Sequence, residues 1–298
     1  MCANFWHGYS VVLRSREAHM NLFDMIFRNS KSKEVVFSSV YNYLVDRFET
    51  HGLGPVILER IIEALPNEAA RQMLSVTGLE MQNTEAEYSL QEIGQIDSMI
   101  ELSRKDGSKS AYLFTEVKII DASARNATRH GSQVRRYVEY INKNIRDDAV
   151  FLYLVPDTHS TAALGEFTSF LKECPASLAE KSFVMFWRDT QSIDSSVPES
   201  NVCRSSFEAI LRDVLQDELT GKIPPISTEM RYVLKSLINT VHNNFNREEI
   251  VYSQGRFPNR SEFFDRLPEV HKHLFEYLET KSTGRCNISP TKTSIGFP

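Results

Sequence analysis

Three short stretches decide the fold of this 298-residue chain: Gly94-Gln95-Ile96-Asp97, Phe114-Thr115-Glu116-Val117-Lys118 and Gln133-Val134-Arg135-Arg136-Tyr137. From residue 96 to residue 102 apolar and polar side chains alternate, which is the period of a strand. Residues 111–120 form a second predicted strand, and Lys105-Asp106-Gly107-Ser108 between them predicts the turn of an antiparallel hairpin. From Val134 in the third stretch onward, apolar residues fall at i, i+3, i+4 and i+7, which predicts an amphipathic helix.

The predicted hairpin brings two carboxylates and one ammonium group together. Residues two apart on a strand share a face, so Glu116 and Lys118 project side by side, with Asp97 across the hairpin. Buried carboxylates need a counter-charge or a cation. Mg²⁺ or Mn²⁺ would meet that need, because both prefer hard oxygen ligands such as those of Asp97 and Glu116. The plain alternative is a Glu–Lys pair on an exposed strand face, which needs no functional explanation.

The surrounding sequence alternates between helical and strand patterns and therefore predicts an α/β fold. Helices are predicted over 35–48, from Pro55 to Leu65 and over about 162–172, and buried strands over 149–155 and 182–187.

The predicted linker covers residues 189–201, which are rich in Ser, Asp and Pro, and helical patterns follow at 207–219 and 230–245. We therefore predict a core with N-terminal helices over residues 1–190 and a helical C-terminal extension or subdomain over residues 200–298.

Composition narrows the class of protein. The chain is 41% hydrophobic and 24% charged, as in ordinary globular proteins, and no apolar run approaches the ~20 residues of a membrane span. Its net charge of −5 excludes a uniformly basic coat but leaves room for a local basic groove. The four cysteines show no CxxC spacing, which argues against a zinc site or a disulfide framework and favours a cytoplasmic protein. We expect no association with a membrane.

The combination of motifs resembles the PD-(D/E)xK nuclease superfamily, in which an Asp ends one strand, a (D/E)xK triplet lies on the next, and QxxxY opens the following helix. Here these are Asp97, Glu116 to Lys118, and Gln133 with Tyr137. The resemblance extends to a bacterial and phage-associated subgroup with a His-Gly-x-Gly turn, as in residues 51–54, a GxID motif, as in 94–97, and a strand ending in Pro-Asp, as in 152–157. It covers roughly residues 35–160 and implies a restriction-endonuclease-like mixed central sheet flanked by helices.

The resemblance implies a metal-dependent nuclease that hydrolyses phosphodiester bonds, with DNA the favoured substrate. Asp97 and Glu116 would hold Mg²⁺ or Mn²⁺, Lys118 would orient the attacking water, and Gln133 and Tyr137 would support them. A phage-defence or mobile-element setting is the expectation that the subgroup suggests. The alternative is a nucleic-acid-binding or partner-regulated protein on a nuclease scaffold, with little intrinsic cleavage. A homodimer, or a protein partner bound through the C-terminal helices, stays open.

Two features near the motifs extend the prediction. The superfamily often has an acidic residue on its first helix; by position Ser39 would replace it here, and Glu49 and Glu59 are nearby carboxylates. Residues 125–146 hold six Lys or Arg and one Glu, a natural track for a phosphate backbone. The predicted nucleic-acid contacts are Arg129, Arg135 and Arg136, of which Arg129 and Arg136 share a helix face with Gln133. Asp46 and His51 are expected to cap the turn after the first helix.

Overall fold

A five-stranded sheet organises the protein. The computed structural model describes residue 23 and residues 33–75, 79–104, 110–121, 132–144, 148–188 and 196–245. The strands lie in the order β1 (Leu79–Ser89), β2 (Gln95–Arg104), β3 (Ser110–Val117), β4 (Ala149–Val155) and β5 (Ser182–Phe186). The first three pair antiparallel, whereas β3, β4 and β5 pair parallel. The predicted mixed sheet is confirmed, as is the antiparallel pairing of β2 with β3, whereas the predicted turn at residues 105–108 lies outside the described residues.

Helices cover both faces of the sheet. The described helices are α1 (Lys33–Val45), α2 (Gly54–Ala64), α3 (Glu68–Leu74), α4 (Gln133–Asn144), α5 (Thr161–Glu173), α6 (Ala176–Ala179), α7 (Phe207–Leu219) and α8 (Thr228–Asn244). Short 3-10 turns lie at Gln91–Ile93 and Glu199–Asn201. None of these described helices has the length and apolar character needed to cross a membrane.

Alternating residues of β3 divide the interior into two hydrophobic clusters. Leu113 and Val117 face one side, where α1, α2, α7 and α8 pack. Phe114 faces the other, where it meets α4 and α5. Every side chain of β4 is buried, which explains its continuous apolar run, because a strand inside a parallel sheet is covered on both faces. The sheet is therefore a layer between two sets of helices.

The turn from α1 to α2 is built as the sequence indicates. His51 donates from Nε2 to Tyr43 O over 2.8 Å, and its Nδ1 accepts from the Leu53 amide over 2.9 Å. Asp46 accepts a hydrogen bond from the Phe48 amide. A Cβ at Gly54 would lie 2.3 Å from Asp46 O, so only glycine permits this close approach. The expected capping roles of Asp46 and His51 are confirmed.

Two elements escape the sequence patterns. β1 is an edge strand of mostly polar sequence, LEMQNTEAEYS, and therefore lacks the apolar alternation that marks a half-buried strand. α3 has only seven residues and depends on its N-cap, where the Asn67 side chain accepts from the Ala69 and Ala70 amides. In addition, α1 begins at Lys33 and ends at Val45, earlier at both ends than the predicted 35–48.

The region predicted as a linker is partly packed against the sheet. Among its described residues, Val197 and Asn201 are buried, and Asn201 Nδ2 donates to Ala179 O and Ser182 O. Val202 forms a bridge to Val184 of β5. The helices beyond it share one hydrophobic cluster with α1 and α2. The division at residues 190 to 200 stays a prediction.

Candidate active site

Asp97 and Glu116 lie at the open end of the β2–β3 hairpin, where β2 begins and β3 ends. Ser98 pairs with Thr115, so the next step along the two antiparallel strands places Asp97 opposite Glu116. The Val117 amide donates to Asp97 Oδ2 over 2.7 Å and so fixes the direction of that carboxylate. Both acidic side chains therefore lie on the sheet face that α4 covers, as the two-residue period of the strands predicts.

Lys118 completes the group. Its Nζ donates to Glu116 Oε1 over 2.7 Å, and its side chain is only 6% exposed. The Lys118 amide donates to Leu154 O over 2.7 Å, which holds the end of β3 against β4. The structure thus brings together the three residues that the motifs single out.

A third carboxylate, Glu34 at the start of α1, approaches the same ammonium. Its Oε2 lies 3.7 Å from Lys118 Nζ. In the described part of the chain, the ion pairs to Lys118 come from Glu116 and Glu34. The three candidates from the sequence lie elsewhere: the Ser39 hydroxyl donates to Val35 O within α1, Glu49 is in the following turn, and Glu59 is exposed on α2.

Helical phase is the signal that could have found Glu34. It shares the face of α1 that carries Ser38 and Asn42, four and eight residues further on. Asn42 contacts Asp97 through a hydrogen bond to its carbonyl oxygen. The sequence pattern missed Glu34 because the apolar period begins one residue later, at Val35.

The charges of the group shift one another's pKa values. Burial and the neighbouring Glu116 raise the pKa of the Asp97 carboxyl well above its ordinary value. Burial also raises the pKa of Glu116, against the opposing effect of Lys118. Burial alone would lower the pKa of Lys118, but the carboxylates of Glu116 and Glu34 outweigh it and raise that pKa well above its ordinary value. Lys118 is therefore an ammonium at neutral pH.

These residues fit a divalent cation. Glu116 Oε2 is buried and has no hydrogen-bond partner among the described residues, which is costly for a carboxylate oxygen. With all three carboxyls ionised, Glu34, Asp97, Glu116 and Lys118 would carry a formal charge of −2, and a divalent cation would favour that ionised form against the burial that raises the pKa values of Asp97 and Glu116. No group of three acidic, His or Cys side chains assembles a metal site by itself within the described ranges. The carboxylate oxygens of Asp97 and Glu116 are of the kind that such a cation prefers.

Gln133 and Tyr137 lie behind the acidic group rather than within it. Gln133 Nε2 donates to Tyr137 Oη over 2.8 Å, and Tyr137 Oη donates to Gln95 O over 2.7 Å. This chain of hydrogen bonds ties the first turn of α4 to the strand two residues before Asp97. Gly94 has φ of 134°, and a Cβ there would lie 3.4 Å from Tyr137 Oη. The positive φ is what calls for glycine at this position, since a Cβ at 3.4 Å from the tyrosine oxygen would be in ordinary contact.

Glu166 of α5 is a supporting residue that the sequence analysis did not single out. Its Oε1 accepts from Ser132 Oγ and from the Val134 amide, each over 3.1 Å, at the start of α4. Its Oε2 accepts from Tyr153 Oη over 3.4 Å. A carboxylate at a helix N-terminus satisfies free amides and favours the helix dipole. The signal was available: Glu166 falls on the apolar face of α5, three residues after Ala163 and one before Phe167.

The three arginines predicted to contact nucleic acid stand differently. Arg129 lies outside the described residues. Arg135 is exposed and forms ion pairs with Glu139 over 2.8 Å and with Glu173 over 2.5 Å. Arg136 is half-buried, and its Nε has no hydrogen-bond partner in the part of the chain that the structure describes. Contact of these arginines with nucleic acid stays a prediction, and the pairing of Arg135 with two acids weighs against it for that residue.

Comparison with known families agrees with the geometry. A family model of the PD-(D/E)XK nuclease superfamily matches residues 20–207, a span that includes the acidic group, Lys118 and α4. The chain belongs to the PD-(D/E)XK nuclease superfamily, whose members are nucleases that generally use divalent metals. No curated protein and no solved structure matches the chain.

Proposed function

We propose that this protein is a metal-dependent nuclease that hydrolyses phosphodiester bonds in DNA, with Mg²⁺ or Mn²⁺ as the ion. The observation that carries the proposal is the buried, unpartnered Glu116 Oε2 beside Asp97, within the described residues. A fold keeps such an oxygen at a cost, and a cation ligand offsets that cost. A phage-defence or mobile-element setting remains part of the proposal that the motifs alone suggest.

Each side chain of the group has a distinct role in the proposed reaction. Asp97, aligned by the Val117 amide, and Glu116 would hold the cation. The bound cation would supply Lewis-acid stabilisation of the charge that develops on the phosphate. Lys118, kept as an ammonium by Glu116 and Glu34, would donate a hydrogen bond to the attacking water or to a phosphate oxygen. Gln133 and Tyr137 would keep β2 in place.

The basic residues beyond the site would bind the phosphate backbone. Arg136 is on the face of α4 that carries Gln133, and its half-buried guanidinium has an unpartnered Nε among the described residues. Arg135 would first have to leave Glu139 and Glu173. We therefore propose Arg136 for the nucleic-acid track; Arg129, which the sequence adds to the prediction, lies outside the described residues.

Cleavage assays with a matched pair of variants test the proposal. Supercoiled, linear and single-stranded DNA, and RNA, are incubated with the protein in Mg²⁺ or Mn²⁺ and in EDTA. Glu116→Gln removes the charge of the proposed ligand and is expected to abolish cleavage. Glu101→Gln is the control, since Glu101 lies on β2 outside the acidic group and accepts a hydrogen bond from Tyr112. Its activity is expected to equal that of the wild type.

Two results would count against the nuclease. A wild type that cuts no DNA or RNA with either ion would overturn the proposal. Binding of DNA without cleavage, with a steep dependence on salt, would support the alternative of a binding or partner-regulated protein on this scaffold.

A further inference from the structure

Asn42 of α1 is buried against the strand that carries Asp97. It is 1% exposed, and its Nδ2 donates to Ser38 O and to Asp97 O, each over 2.9 Å. Its Oδ1 accepts from Ser98 Oγ over 2.6 Å. Exchanging the oxygen and nitrogen of the amide would set an acceptor against two carbonyl oxygens, so the contacts allow one orientation.

The backbone at Asp97 receives this support opposite a residue of β1 that has an unusual backbone conformation. The pairing of β1 with β2 passes from Ala86 and Ser98 to Tyr88 and Ile96. Between these two pairs, opposite Asp97, Glu87 has a φ of 51°. This is the left-handed region, which few residues other than glycine adopt. At this point the Asp97 carbonyl accepts from the Asn42 amide.

Contacts from both sides of the sheet therefore hold the stretch of β2 from Gln95 to Asp97. Asn42 approaches from α1, on the face that also buries Ile100. Tyr137 approaches from α4 and holds Gln95 O, while the Val117 amide holds the carboxylate itself. Without Asn42 the Asp97 carbonyl would lose its hydrogen bond from α1, which is one of the contacts that fix this stretch of β2 beneath the carboxylate.

We propose that Asn42 is a positioning residue, which fixes the Asp97 carboxylate for the divalent-cation site; this rests on the function proposed above. Asn42 would contact neither cation nor substrate. Hydrogen-bond partners of metal ligands change metal affinity by about 10–100-fold when they are removed. The lower end of that range is expected for Asn42, because it contacts the backbone of the ligand residue and not its carboxylate.

Direct measurement of Mn²⁺ binding by electron paramagnetic resonance tests the proposal. Asn42→Ala is expected to raise the Kd for Mn²⁺ by about tenfold or more. The matched control is Asn201→Ala: this asparagine is also buried, and its Nδ2 donates to two carbonyl oxygens, Ala179 O over 2.7 Å and Ser182 O over 3.0 Å. It should lose comparable stability to urea but keep the Kd of the wild type.

A second variant and a metal-free readout cover the case in which Asn42→Ala does not fold. Asn42→Ser keeps a hydroxyl that can donate to Ser38 O, as serine does in helices, but is too short to reach Asp97 O. Hydrogen exchange of the Val117 amide, measured in EDTA, reports whether Asp97 Oδ2 still accepts its hydrogen bond. We expect faster exchange at Val117 in Asn42→Ser than in Asn201→Ala.

The outcomes separate this inference from the proposed function. Wild-type Kd and wild-type exchange at Val117 in both Asn42 variants would overturn the inference and leave the nuclease standing. A wild type that binds no Mn²⁺ would overturn the proposed function and the role of Asn42 in metal binding. In that case slower or unchanged exchange at Val117 would also refute the positioning of Asp97, and faster exchange would support it.

Discussion

The two members of the Glu116–Lys118 pair should differ sharply in what their removal does to stability. Lys118→Met keeps the apolar stem but removes the ammonium that faces Glu34 and Glu116, and leaves Asp97 beside them. Glu116→Gln removes one carboxylate, while Lys118 keeps Glu34 at 3.7 Å. The first change leaves uncompensated negative charge in a buried place, and the second relieves part of it.

The structure sets the expected magnitudes. Glu116 is 2% exposed, so Lys118→Met breaks a buried pair by removing one partner, which costs about 3–5 kcal/mol. In Glu116→Gln the amide oxygen can still accept a hydrogen bond from Lys118. The substitution also removes a buried carboxylate whose second oxygen has no hydrogen-bond partner among the described residues. The net change should stay within about 1 kcal/mol, the size of one ordinary hydrogen bond.

Urea unfolding at pH 7 in EDTA measures both free energies. Adding Mn²⁺ should restore much of the stability of Lys118→Met, because a cation replaces the lost ammonium, and should stabilise Glu116→Gln less. Equal losses for the two variants, or a larger loss for Glu116→Gln, would refute the assignment of excess negative charge to this site.

The pH dependence gives the same reasoning a second check. Burial raises the pKa of folded Glu116 above its ordinary value of 4.5, so folding favours the protonated form. Its stabilising contribution is complete below pH 4.5 and is lost as the pH rises through the raised folded value. In EDTA the wild type should therefore lose stability over this window relative to Glu116→Gln. A gain over the same window would contradict the direction of the shift.

Three further pairs of variants have defined outcomes. Gly94→Ala should lose about 1–3 kcal/mol in urea unfolding, because its φ of 134° strains other residues, whereas Gly165→Ala, in open space within α5, should gain about 0.5–1 kcal/mol. Glu166→Gln keeps an acceptor for the start of α4 and should cleave faster than Glu166→Ala in a steady-state assay. Arg136→Ala should weaken DNA binding and reduce by about 1 the slope of log affinity against log salt concentration. Arg135 is already paired with two acids, so Arg135→Ala should bind DNA as the wild type does. The reverse order of affinities would contradict the proposed track.

The part of the site that the sequence could predict depends on local spacing. Glu116 lies on β3 and Lys118 directly after its last residue, and the two side chains share a face because side chains alternate every two residues along extended backbone. Gln133 and Tyr137 share a helix face because they are four apart. The hairpin turn then carries Asp97 to the same point. Each of these relations holds within one element or between adjacent ones, so the spacing of residues in the sequence is enough to predict it.

The residues that the sequence did not reveal act across distant elements. Glu34 and Asn42 reach the site from α1. Asn42, for example, lies 55 residues before Asp97, whose carbonyl it contacts. Glu166 reaches α4 from the helix after the next strand, 32 residues beyond Val134. Such contacts depend on how helices pack on the sheet, which a single sequence does not specify. β1 was missed for a different reason, since its polar sequence lacks a period that packing would impose.

The packing of α1 also limits how this protein can be divided. Tyr41 bonds Thr115, the neighbour of Glu116, over 3.2 Å, and its ring lies 5.5 Å from that of Phe207. Phe37 makes an edge contact with Phe245, with ring centroids 4.8 Å apart. In a chimera that carries only residues 1–190, Phe37 and Tyr41 would lose their contacts with Phe245 and Phe207 and become exposed to solvent. We therefore expect a transplant that ends at residue 245 to be more stable than one that ends at residue 190.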